Sequence, residues 1–127
     1  MIALVLATVL QSQTVTLQCD GVSNDGDGQR VARANVEITG QSVRVKAPSE
    51  LFATFTGRRQ DFWRDLSDVV VTDREIRGRN SPSMVSRMEV VIDRMTGAIR
   101  INVNDVLAGG TSSFMGDCTV VADKPLF

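Results

Sequence analysis

Apolar and polar residues alternate with a period of two over most of the chain, the signature of half-buried strands. In TVTLQCD, Val15, Leu17 and Cys19 share one face. In RVARANVEIT, Ala32, Ala34, Val36 and Ile38 alternate with Arg33, Asn35 and Glu37. In SVRVKA, Val43, Val45 and Ala47 alternate with Arg44 and Lys46. Near the end, SFMGDCTVV sets Phe114, Gly116, Cys118 and Val120 on one face.

Two hairpins follow from this pattern. With Gly40-Gln41 as a two-residue loop, glycine takes the first position, as a type II′ turn requires. Thr39 then faces Ser42, Ile38 faces Val43, Glu37 faces Arg44 and Val36 faces Val45. Apolar pairs fall on one side and an ion pair on the other, and a one-residue slip destroys the match. In the second, MEVVIDRMTGAIRINV, a loop at Thr96-Gly97 puts Asp93 opposite Arg100, Ile92 opposite Ile101 and Val90 opposite Val103. A three-residue turn with a bulge at Gly97 is the alternative.

Between the hairpins the pattern weakens. Leu51 to Phe55 reads as a strand, while Phe62, Leu66 and Val69 approach helical spacing and predict one short helix. VVVTDREIRGR is one long strand or a pair turning at Asp73-Arg74, and RNSPS reads as a loop because Pro82 cannot donate to a ladder. The expected fold is all-β: one antiparallel sandwich or small barrel of about seven to nine strands. An immunoglobulin arrangement fails, since Trp63 lies far from Cys19 and no tyrosine is present.

The 127 residues suffice for one domain, and 43% of them are hydrophobic. Residues 14–127 are read as that domain. Residues 1–13 are read separately, because the apolar run Ile2 to Leu10 is too short to span a bilayer and suits the core of an export signal. The same run, rich in β-branched residues, also suits a first strand. Histidine is absent, which removes the usual neutral-pH base and the commonest metal ligand. The net charge of −1 gives no pull toward nucleic acid.

Cys19 and Cys118 fall on inward phases near opposite ends of the domain. In an exported protein two lone cysteines most simply form one disulfide; in a cytosolic one they stay reduced and buried. Export and a Cys19–Cys118 bridge are therefore expected together, with the periplasm or the exterior as compartment.

Candidate chemistry is sparse. CDGVSNDGDGQR offers Asp20, Asp25 and Asp27, but no frame supplies the ligands and the terminal glutamate of an EF-hand. An irregular calcium site remains beside the plainer reading, a polar hairpin loop. No cofactor or metal is expected. Arg58, Arg59 and Arg64 crowd around Trp63, which suggests an anion-binding face with a stacking aromatic. Nearby Asp61, Asp65 and Asp68 favour a salt-bridged surface, with Trp63 as a core anchor. Ser112 and Ser113 lack a histidine and a G-x-S-x-G frame.

Cys19-Asp20-Gly21, Trp63, Ile92-Asp93-Arg94-Met95-Thr96-Gly97, Phe114-Met115-Gly116-Asp117-Cys118 and Lys124-Pro125-Leu126-Phe127 together resemble small exported bacterial β-domain proteins of unassigned function. The resemblance implies a single β-domain and an oxidising compartment, and it carries no catalytic residue. The expected function is non-enzymatic: binding an envelope protein or a small ligand, without an integral membrane span. Two other readings stand beside it. One is a carboxylate-dependent hydrolase or lyase acting on an anionic substrate. The other is a hydrolase inhibitor using VSNDGDGQ or GRNSPSM as its loop.

Overall fold

A computed structural model describes residues 13–24, 28–48, 51, 63–83, 86–105 and 110–121. Among them run nine strands: β1 Thr14–Asn24, β2 Gln29–Thr39, β3 Ser42–Lys46, β4 Arg64–Asp65, β5 Ser67–Val71, β6 Glu75–Ser83, β7 Ser86–Asp93, β8 Ala98–Asp105 and β9 Thr111–Val120. They form one antiparallel sheet in the order β4-β3-β2-β1-β9-β8-β7-β6-β5. Every strand pairs with its sequence neighbour except at the β4–β5 break, and β1 pairs with β9. The two ends of that order, β4 and β5, are consecutive in the chain. They act as one stave interrupted at Leu66, so the sheet curls into a nearly closed up-and-down barrel of eight staves.

The interior follows from the alternation. Cys19, Ala34, Val36, Val43, Val45 and Ile76 point inward, joined by Met88, Val90, Ile92, Ile99, Ile101, Val103 and Phe114 in one buried cluster. A barrel of this size is just wide enough for side chains to fill. Leu51 adds to the cluster from beyond β3, where its amide donates to the Pro48 carbonyl at 3.1 Å. The two residues before that turn, Ala47 and Pro48, are also buried.

The β2–β3 hairpin has the register read from the pattern, residue for residue from Thr39↔Ser42 to Val36↔Val45. Gly40 has φ 62° and is the one loop residue there with positive φ, as a II′ turn requires. Glu37 and Arg44 make the expected ion pair at 2.5 Å.

The β7–β8 hairpin is slipped by two residues from the expected register. Ile92 faces Ile99, Val91 faces Arg100 and Val90 faces Ile101. Asp93 does not oppose Arg100. Its carboxylate instead accepts the Met95 and Thr96 amides at 2.8 and 3.1 Å, and its carbonyl accepts the Gly97 amide at 2.8 Å. That side-chain capping stretches the loop to Arg94–Gly97. A slip of two preserves the faces, so every inward residue stays inward.

Three further expectations are corrected. Leu66 and Val69 do not lie on a helix: the segment forms β4 and β5, and their apparent helical spacing arises from a β-bulge. Between Ser67↔Arg79 and Val70↔Arg77, β5 advances three residues while β6 advances two. Asp68, with φ 52°, takes up the extra residue and lets both Leu66 and Val69 face the core. Residues 79–83 are not a loop but the end of β6, and the ladder shifts between Asn80 and Ser83, where Pro82 stands. The strand expected at Leu51 to Phe55 begins with a turn at Leu51, and its remaining residues lie outside the described ones.

Candidate functional site

The clearest construction joins the first strand to the last. Cys19 opposes Cys118, Gly21 opposes Gly116 and Ser23 opposes Phe114 along β1 and β9. The sulfurs form a disulfide, with Cα atoms 3.9 Å apart and 99 residues between them in sequence. Beside it the two glycines let the backbones meet. A Cβ on Gly21 would lie 2.0 Å from the Met115 carbonyl oxygen, and one on Gly116 would lie 2.6 Å from that of Asp20. The Phe114 ring covers the inward side of Gly116. The β7–β8 turn reaches the same place, because the Cys118 amide donates to the Gly97 carbonyl at 2.8 Å. The C-D-G, T-G and F-x-G-x-C fragments of the sequence are thus parts of one closure.

On the outer side of that closure, Asp20 faces Asp117, an unfavourable pairing of like charges. Arg33 relieves it, donating to Asp20 at 2.7 Å. That hydrogen bond, more than the charge itself, holds the Asp20 carboxyl below its ordinary value of 3.8. Asp25 and Asp27 lie outside the described residues. Among the described residues no cluster of three potential metal ligands occurs.

Trp63 and Arg64, neighbours in sequence, go to opposite sides of the wall. Trp63 is half-buried on the outside, where the Arg44 guanidinium stacks 4.8 Å from its ring centre, so it is not a core anchor. Arg44 also holds Glu37, so aromatic, cation and carboxylate form one outer trio. Arg64 opposes Val45 and shares its inward side. Burial pushes its guanidinium below the usual arginine value. Arg58 and Arg59 lie outside the described residues. Trp63 and Arg64 therefore do not make a single anion-binding face. Arg44, the stacking partner, was legible only through the hairpin register that turns it outward.

Two surfaces remain as places to bind. The first is the barrel end from which the β1–β2, β3–β4, β6–β7 and β8–β9 connections leave. There the inward positions turn polar: Ser23, Ser86 and Ser112 are buried, and Arg64 and Asn80 stand at the same level of the staves. Asn80 donates its amide to the Asp65 carbonyl at 2.9 Å, while its own buried side-chain oxygen finds no partner among the described residues.

The second is a row around the outer wall. Val31 opposes Val22, and Val22 opposes Met115. Met115 opposes Arg100, and Arg100 opposes Val91. Val91 opposes Arg77, and Arg77 opposes Val70. The row thus crosses seven strands and alternates apolar side chains with arginines over its second half. Its apolar members are well exposed: Val31 90%, Met115 58%, Val70 50% and Val22 39%. Two grooves of about 330 and 340 Å³ flank it and share Arg77 and Val91. The rows on either side are polar or charged, with Arg79, Glu89 and Asn102 above and Glu75, Asp93 and Asp117 below. The wall therefore lacks the tall apolar band of a lipid-spanning barrel. Among the described residues, no helix is long and apolar enough to cross a membrane.

Comparison with protein-family models gives no match, and comparison with curated proteins gives none either.

Proposed function

We propose that this protein is an exported, non-catalytic binding module that works in an oxidising compartment of the cell envelope. The observation that carries the reading is the Cys19–Cys118 disulfide, which fastens the first strand to the last. Such a bond persists outside the reducing cytoplasm and is rare within it. Recognition falls to the outer wall and the polar end, because the interior is filled by aliphatic side chains and Phe114. The carboxylate-enzyme alternative draws less support. It needs convergent acids in a shielded environment. Among the described residues the buried polar side chains are Ser23, Ser86 and Ser112, and no carboxylate is buried.

The test is the native protein recovered from fractionated cells. Expected are release with the envelope fraction and a mass two hydrogens below the dithiol form, with the first residues missing. A cytoplasmic protein with an intact Met1 and two alkylatable thiols would end the proposal.

A further inference from the structure

We infer that the outer row from Val31 to Val70 is a docking strip for an extended polypeptide segment whose acidic side chains are flanked by apolar ones. This deepens the binding-module reading and rests on it. Scattered apolar residues on a surface need no explanation. Here, however, Val31, Val22, Met115, Val91 and Val70 are aligned by backbone register into one line, between rows that are polar or charged.

Charge selects the occupant. The cations within the strip are Arg100 and Arg77, one on each side of Val91. They are two strands apart, about 9–10 Å by ordinary strand spacing. Arg77 is shared with Glu75 at 2.7 Å, while Arg100 makes no ion pair among the described residues. A guanidinium left free on an exposed wall offers a fork for an incoming carboxylate. The unbroken apolar half, Val31–Val22–Met115, would take the uncharged part of the same segment. Glu75, Asp93 and Glu89 border the strip and would repel a broad anionic surface such as a lipid headgroup layer. A narrow chain that places single carboxylates on the arginines avoids them.

The experiment uses the full oxidised chain and a synthetic ten-residue peptide alternating glutamate with valine, followed by fluorescence anisotropy. A lysine-for-glutamate peptide and vesicles containing phosphatidylglycerol are the comparison probes. The acidic peptide should bind, and the lysine peptide and vesicles should not. Arg100→Glu and Met115→Asp should each weaken binding at least about tenfold. Arg87→Glu, on the same wall but off the strip, should change it less than about twofold. Absence of peptide binding overturns the inference, as does equal binding by all variants or a preference for the vesicles. Those results leave the export and disulfide measurements untouched, so the two proposals fail separately.

Discussion

The barrel closes twice, and the two closures are built differently. Between β1 and β9, eight residue pairs run from Leu17↔Val120 to Asn24↔Ser113, and a disulfide and a glycine pair lie within them. Between β3 and β6 the chain supplies only the broken stave. β4 gives two pairs to β3, the Leu66 amide reaches the Val43 carbonyl at 2.9 Å, and β5 joins β6 across a bulge. Side chains mend part of the gap, with Asn80 on the Asp65 carbonyl and the Ser67 hydroxyl on the Arg79 carbonyl. One closure is covalent and continuous, whereas the other is a pinch held at Leu66. Local opening should therefore begin at the second, since stability within a domain follows local contacts and hydrogen bonding.

Breaking the first closure should have the largest effect. The double variant Cys19→Ser with Cys118→Ser releases a loop of 99 residues, and the chain-entropy relation gives a loss of about 4–5 kcal/mol as an upper estimate. Urea unfolding under matched conditions measures it. Next comes Gly21→Ala, whose methyl would meet the Met115 carbonyl oxygen at 2.0 Å. Backbone cannot move aside as a side chain can, so a loss of about 3 kcal/mol is expected, readable as a lower denaturant midpoint. The second closure can be strengthened instead. Asp68→Gly places glycine where φ is 52° and should stabilise by roughly 0.5–1 kcal/mol. A decrease would mean that the aspartate side chain itself holds the bulge.

The smallest effect is that of acid. Arg33 keeps the Asp20 carboxyl below 3.8, so the interaction is fully present above that value and is lost as pH falls through the depressed one. Because the carboxylate is fully exposed, only a slight softening of β1–β9 is expected. Asp20→Asn should abolish the difference between oxidised wild type and variant below that range while leaving it at neutral pH.

The two closures also differ in how legible they were. Cys19, Gly21, Gly116 and Cys118 announce the first, since strand phase and glycine spacing survive in the residues themselves. The second was misread as a helix because a bulge at Asp68 shifts Leu66 and Val69 away from simple alternation. The hairpins teach the same lesson. Gly40-Gln41 fixes its register through the loop backbone. The other register depends on Asp93 capping two amides, a side-chain choice that alternation does not encode. Face is written in period two, whereas register is written in turns. The outer strip was invisible for that reason: Val31, Met115 and Arg100 become neighbours only once every register is known.

Amide hydrogen exchange of the oxidised protein tests the central comparison most directly. The amides of Leu17–Asn24 and Thr111–Val120 should exchange slowest, and those of Arg64–Val71 should exchange well before them. Equal protection along both closures, or faster exchange in β1 and β9 than in β4 and β5, would contradict the account.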